Sequence, residues 1–82
     1  MNSNNDFWLI DSNFVGVIRF YKDKKHSDKS IAYMIIEEGI IMGIDGEKPP
    51  LMKTRKRIVI EEARLLWQNL LSEGWQKTSK KW

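Results

Sequence analysis

The chain has 82 residues, 30% of them charged, and it contains four tryptophans but no cysteine. Without cysteine a disulfide framework is impossible, and His26 alone cannot build a structural zinc site, so no metal or cofactor is expected. No stretch approaches the roughly 20 apolar residues of a membrane span, and the polar N-terminus lacks the basic region of a signal peptide, so we expect a cytoplasmic protein without membrane contact.

The net charge of +3 is unevenly distributed along the chain. Residues 1–47 hold 5 Lys/Arg and 8 Asp/Glu, a charge of −3, whereas residues 48–82 hold 9 and 3, a charge of +6. A basic C-terminal half of this kind indicates an anionic partner.

The N-terminal part predicts a short leader and a β-hairpin. Residues 1–6 are rich in asparagine, and we expect them to be a disordered leader to a single α+β domain over residues 7–82. An apolar run from Phe7 to Asp11 and the alternating segment 14–22 (FVGVIRFYK) are typical of strands. The Asp-Ser-Asn sequence between them favours a turn. Within the second strand, Gly16 marks a bulge or a close backbone approach.

The middle of the chain predicts a loop, a strand and an extended connector. Residues 22–30 are charged and lack an apolar anchor, which indicates a mobile loop. Residues 31–38 (IAYMIIEE) fit a strand or a helix, and their isoleucines favour the strand. Gly39 is predicted to turn the chain, and Asp45-Gly46 is a strong turn signal. The prolines make residues 47–50 an extended connector, and residues 51–59 then read as an edge strand or an arm.

The segment from Ile60 to Gly74 predicts an amphipathic helix. Its apolar residues fall within an arc of about 140° at 100° per residue. Gly74 suits the left-handed position just after a helix. No Ser, Thr, Asp or Asn precedes Ile60, so the helix lacks a side-chain N-cap. Leu65 is the one large apolar residue on the polar side.

These elements predict an α+β fold: a small curved antiparallel sheet of four to six short strands, with one C-terminal amphipathic helix packed across it. The predicted core is Trp8, Ile18, Phe20, Ile35, Ala63, Leu66, Trp67, Leu70 and Leu71.

Several motifs, among them WLID, EKPPLMKTRKRI, EEARLLWQNLLSEGW and the terminal tryptophan, together resemble a known family. The positions that carry the resemblance are Trp8, Leu9, Asp11, Arg19, Phe20, Pro49, Pro50, Leu51, Lys53, Arg55, Glu62, Ala63, Leu66, Trp67, Leu70, Gly74, Trp75 and Trp82. The set is similar to a family of short uncharacterised proteins from marine unicellular cyanobacteria, a domain of unknown function, over nearly the whole chain. Because that family has no known activity, the resemblance implies no cofactor and no catalytic residue.

The residues that could support catalysis form no recognisable arrangement. His26 lies in the charged loop, where a solvated side chain is the simpler interpretation. Glu37 and Glu38 would point to opposite faces of a strand and could not share a substrate. The glycines at 39, 43 and 46 do not have phosphate-loop spacing. We therefore predict a protein that is not an enzyme.

The basic run Lys53-Thr54-Arg55-Lys56-Arg57 could contact a nucleic acid or another polyanion. In an extended chain, alternate side chains share a face about 7 Å apart, which is comparable with phosphate spacing. Trp75 or Trp82 could offer a ring for a base to stack on. Equally, charges on an edge strand prevent aggregation, and Trp75 could close the core. The candidate anion contacts are Lys53, Arg55, Lys56, Arg57, Lys77 and Lys80.

Segment 31–36 is apolar on both faces, with Tyr33 and Ile35 on one and Met34 and Ile36 on the other. One helix covers only one face of a sheet. We therefore expect the second face to be covered either by the N-terminal apolar run (residues 7–11) and the C-terminal tail (residues 75–82), or by another subunit. The candidate interface residues are Tyr33, Met34, Ile36 and Leu65. The leading hypothesis is a non-enzymatic interaction module that forms a homodimer or docks on another protein; the alternative is a small nucleic-acid-binding protein.

Overall fold

A computed structural model describes residues 6–23 and 32–78 of the chain. Within them the protein forms a five-stranded antiparallel sheet and one α-helix. The elements are β1 (Asp6–Ile10), β2 (Gly16–Lys22), β3 (Tyr33–Met42), β4 (Lys48–Val59), α1 (Ile60–Ser72) and β5 (Gln76–Lys77), with a short 3-10 turn at Ile44–Gly46 between β3 and β4. No helix in the described part of the chain is long and apolar enough to cross a membrane.

The strands are arranged in the order β4-β3-β2-β1-β5, and the predicted α+β fold is confirmed. Within the described residues, β4 and β5 are the two edges of the sheet. Strand β5 was not predicted: Gln76 and Lys77 pair with Ile10 and Leu9 of β1 instead of belonging to a simple tail. We call the side of the sheet that carries α1 the helix-side face and the other the reverse face.

The predicted β1–β2 hairpin is confirmed, and the Asp11 carboxylate organises its turn. That carboxylate accepts backbone hydrogen bonds from Asn13, Val15 and Gly16 at 2.8–3.0 Å. Phe14, predicted to lie in β2, instead adopts a left-handed conformation in the turn, with φ of 58°. The strand begins at Gly16, where a side chain would approach the Asp11 carboxylate at 2.9 Å. A larger residue at this position would therefore press on the carboxylate that organises the turn.

Strand β3 is longer than predicted, because Gly39 lies inside it and makes no turn. A β-carbon on Gly39 would lie 2.5 Å from the Leu51 carbonyl oxygen of β4. The pairing with β4 shifts at this point, which is the mark of a bulge. The glycine thus permits a close strand approach, and the chain reverses four residues later, where Gly43 has a φ of 80°.

Helix α1 begins at Ile60, directly after β4, as predicted. Val59 provides no side-chain cap, but the Ile60 N–H donates to the Ala32 carbonyl at 3.0 Å, immediately before β3. At the other end Gly74 adopts φ of 106°. The Gly74 N–H donates to Leu71 and the Trp75 N–H donates to Leu70, which is a Schellman ending. The prediction for Gly74 is confirmed.

The main core lies between α1 and the helix-side face. Of the predicted residues, Ile18, Phe20, Ala63 and Leu70 are buried there, and Leu66, Trp67 and Leu71 pack against them while staying partly exposed. Leu9 and Ile36 are also fully enclosed in this cluster; they were missing from the predicted core.

A second, smaller cluster lies on the reverse face, towards the β1–β2 turn. It consists of Trp8, Ile10 and Val17, against which Ile41 and Met52 pack. Ile35, further along the same face, is also buried. Trp8 and Ile35 were correctly predicted to be buried, but helix α1 does not cover them.

Candidate functional site

Edge strand β4 carries the basic run predicted to bind anions, and its charged side chains are exposed. Arg55 is paired with Glu37 and Arg57 with Ile35, so both arginines lie on the reverse face. Lys56 is paired with Ile36 and lies on the helix-side face. Lys53 falls between the last regular pair and the shifted one, in the bulge. The run therefore presents cations along both faces of the edge, and only the two arginines clearly share one face as predicted.

The two arginines are held loosely by carboxylates of the same sheet. Arg55 Nε lies 4.0 Å from Glu37 Oε2, and Arg57 Nη1 lies 3.8 Å from Asp23 Oδ2. The guanidinium of Arg57 also lies over the Tyr33 ring, 5.4 Å from its centroid. Their side chains are 65% and 45% exposed, so these long contacts contribute little to stability. Arg55 can therefore turn outward at small cost, because Glu37 keeps its closer contact with Arg19.

The centre of the reverse face is a polar and aromatic network around Arg19, which the sequence did not reveal. Arg19 donates to Asp6 at 2.6 and 3.0 Å and to Glu37 at 3.1 Å. Its guanidinium lies 4.2 Å from the centroid of the Tyr21 ring and 5.7 Å from that of Trp8. The reverse face is thus not uniformly apolar. The prediction of an apolar surface there is wrong at its centre.

The pKa values of two groups in this network are shifted. Burial would lower the pKa of Arg19, but its hydrogen bonds and charge contacts with Asp6 and Glu37 outweigh burial and raise the pKa. Burial and the Glu37 charge together raise the pKa of Tyr21. The Tyr21 hydroxyl donates to Glu37 at 3.3 Å. Near neutral pH the network therefore holds a charged arginine and a neutral tyrosine.

Strand register connects this network to the edge. Trp8, Arg19, Glu37 and Arg55 lie in one row across β1, β2, β3 and β4. Glu37 contacts both arginines of the row. Arg19 lies closer to Glu37 than Arg55 does and therefore interacts with it more strongly. The guanidinium of Arg55 thus remains available to interact with a partner.

Among the remaining candidate cations, Lys77 does not join this surface. Lys77 lies in β5, four strand spacings from β4, or roughly 19 Å. Trp75 packs against the core beside Gly16. It therefore closes the core, which was the alternative to stacking on a base. Lys80, Trp82 and His26 lie outside the described residues.

The four candidate interface residues lie in different environments. Ile36 is 1% exposed and presents no free surface, which corrects the prediction for it. Met34 packs against the core beneath α1 and stays partly exposed in the groove described below. Tyr33 lies on the reverse face under Arg57. Leu65 is 62% exposed on the outer side of α1.

A different apolar surface lies at the end of the sheet that carries the β1–β2 and β3–β4 turns. The Ile41 N–H donates to the Val15 carbonyl at 2.8 Å, which holds the two turns side by side. The exposed apolar residues at this end are Phe14, Val15, Met42, Ile44 and Leu51. The run IIMGI was the available signal, since it places large apolar residues directly against a turn.

A groove of about 890 Å³ opens on the helix-side face, beside α1. Its lining includes the rings of Phe7, Phe20 and Trp67, with cationic side chains of β2, α1 and β5 around them. No local sequence signal predicts this groove, because it depends on where the helix lies across the sheet. Among the described residues no group of three or more His, Cys, Asp or Glu could hold a metal ion.

Comparison with known proteins gave one match. The model of a family described as "Protein of unknown function (DUF1651)" matches residues 6–82. No curated protein and no solved structure matches the chain. The resemblance to a domain of unknown function is therefore confirmed, whereas its cyanobacterial source stays a prediction.

Proposed function

Because the chain belongs to the DUF1651 family of proteins of unknown function, we propose its role from its surface: it is a non-enzymatic, cytoplasmic interaction module that docks on another protein through edge strand β4. The observation that carries this proposal is a twelve-residue strand at the edge of the described sheet, bearing five exposed lysines and arginines. The partner it fits is an extended acidic segment.

The backbone of β4 supplies the geometry for such a partner. Strand β3 pairs with one side of β4, and no described strand pairs with the other. Alternate residues of an edge strand direct their N–H and C=O groups outward, where an added strand can pair with them. The prolines at 49 and 50 cannot donate, so the usable edge is residues 51–59.

The charges of β4 select the partner. Lys53 and Lys56 form no ion pair with any described residue, and the arginines at 55 and 57 form only long ones. An added strand with glutamates would place carboxylates beside these cations, where opposite charges on neighbouring strands are favourable. Two copies of β4 paired with each other would instead oppose like charges. The edge therefore favours an acidic strand over a second copy of itself.

Fluorescence anisotropy with a labelled synthetic peptide tests the proposal. The peptide is about nine residues long, alternates glutamate with valine, and matches the usable edge of β4. We expect saturable binding that weakens about tenfold for the double variant Arg55→Gln, Arg57→Gln and weakens further as salt rises. Arg64→Gln, an exposed arginine on α1, is the matched control and should leave binding unchanged.

Two modified peptides separate strand pairing from charge. N-methylation of alternate residues removes donors from one edge of the peptide and should abolish binding, and replacing glutamate by lysine should do the same. Equal affinity for the N-methylated peptide would contradict docking by strand pairing. If single-stranded DNA bound in a strongly salt-dependent manner and the peptide did not, the nucleic-acid hypothesis would replace this one.

A second candidate function is self-association through the turn end of the sheet. Ile44 is 76% exposed there, beside other exposed apolar side chains, and clustered apolar surface of this kind marks interfaces. Light scattering at micromolar concentration should show a dimer that the double variant Val15→Ser, Ile44→Ser converts to a monomer. A wild-type monomer throughout the concentration range would rule out this candidate.

A further inference from the structure

We propose that the groove beside α1 binds a small aromatic carboxylate, independently of the edge strand. The groove exists because the helix is narrower than the sheet. Five strands span roughly 19 Å, whereas a helix with its side chains is about 10–12 Å wide. Helix α1 follows β4 directly and its backbone lies nearest to β3 and β4. It covers Leu9 of β1 but leaves the helix-side face open around Phe7 and Lys77.

The floor of the groove is aromatic. The ring of Trp67 meets Phe20 edge-on, with centroids 5.1 Å apart, and meets Phe7 edge-on at 6.3 Å. These contacts hold the indole in a fixed orientation. Phe7 is nevertheless 53% exposed, although it belongs to a strand whose next three residues are buried. A flat apolar ring entering the groove would cover this exposed surface.

The rim of the groove is cationic. Lys22 from β2, Arg64 from α1 and Lys77 from β5 approach it from three different elements, and none of them forms an ion pair with a described residue. Asp6 is the carboxylate in the lining, and Arg19 already neutralises it at 2.6 Å. An anionic head group therefore finds unpaired cations around an aromatic floor, which is the pattern of a site for an apolar anion.

The groove is separate from edge strand β4 and from the Arg19 guanidinium. Its cations lie on β2, α1 and β5, while the basic run lies on β4. Failure of either binding experiment therefore leaves the other proposal untouched. The volume of about 890 Å³ lies within the range of small-molecule pockets, about 300–1,000 Å³.

Titration with 2-naphthoate tests this site, with 2-naphthamide as an uncharged control of nearly the same shape. Two-dimensional ¹H–¹⁵N NMR should show saturable shifts of the Trp67 indole N–H and of Lys77. We expect the carboxylate to bind at least about tenfold more tightly than the amide. Lys22→Gln, Arg64→Gln and Lys77→Gln should each reduce that preference about two- to fivefold.

Lys56→Gln is the matched control, since Lys56 is an exposed lysine of the same sheet face that does not line the groove. It should leave naphthoate binding unchanged. All of these residues are exposed, so the variants should fold like the wild type. Equal binding of naphthoate and naphthamide, an equal effect of Lys56→Gln, or no saturable shift of Trp67 would each overturn the proposal.

Discussion

The two faces of the sheet are stabilised by different chemistry. On the helix-side face α1 packs against an apolar cluster, so burial of apolar surface supplies much of the free energy of folding. On the reverse face an apolar cluster near the turns gives way to a row of ion pairs and rings around Arg19. A strand that is apolar on both faces therefore does not by itself require a second subunit to cover one of them.

Removal of Trp67 should give the largest loss of stability, because the helix-side face depends on it. Trp67 is only partly buried, so Trp67→Ala should lower the free energy of unfolding by about 3 kcal/mol, near the low end for a tryptophan truncation. Leu65→Ala, on the exposed side of the same helix, should change it by less than about 0.5 kcal/mol. Urea denaturation measures both, and similar losses would show that the helix does not face the sheet as described.

Removal of the Asp11 carboxylate should give the next largest effect, because it weakens the turn that sets the β1–β2 register. A slip of one residue would exchange the two faces of β1. Asp11→Ala leaves three backbone N–H groups without their acceptor and should cost about 2 kcal/mol. Asp11→Asn, which keeps one acceptor oxygen, should cost less. An unchanged melting temperature in both variants would contradict this role.

The ion pairs of the reverse face should contribute less than either of these. Arg19→Gln leaves Glu37, 15% exposed, without its nearest cation and should cost about 1–2 kcal/mol. Arg55→Gln, whose ion pair is long, whose side chain is 65% exposed and whose partner Glu37 keeps Arg19, should cost under about 0.5 kcal/mol. Equal effects in thermal denaturation would mean that the network around Arg19 is not a structural element.

Tyr21 should give the smallest and most specific effect, visible only in alkaline solution. Burial and the Glu37 charge raise the pKa of Tyr21 in the folded protein above its unfolded value. Its contribution is therefore complete below the unfolded pKa of about 10 and is lost as pH rises through the folded pKa. The difference in stability between wild type and Tyr21→Phe should shrink from about pH 10 upward. A constant difference would exclude this linkage.

Local signals predicted much of this fold. The start of α1 at Ile60 and its termination just before Gly74 followed from apolar spacing and a glycine, and the hairpin followed from alternation around Asp-Ser-Asn. Gly39 was misread, because a glycine that permits close strand approach looks the same in sequence as one that turns the chain. What separates the two is the position of β4, which is not local information.

The binding surfaces were only partly predictable for the same reason. Exposure of the basic run on an edge strand could be anticipated from its composition. The row from Trp8 to Arg55 could not, because it requires the register of four strands at once. Neither could the groove, since Lys22, Arg64 and Lys77 are distant in sequence and are brought together by the position of α1.

Amide hydrogen exchange across β4, measured with and without the glutamate–valine peptide, shows whether a partner strand pairs with this edge. If an acidic strand pairs with this edge, exchange should slow at alternate residues of segment 51–59, and the amides of β5 should keep their rates. Peptide binding that leaves β4 exchange unchanged, or that protects β5 instead, would contradict docking of an acidic strand at β4.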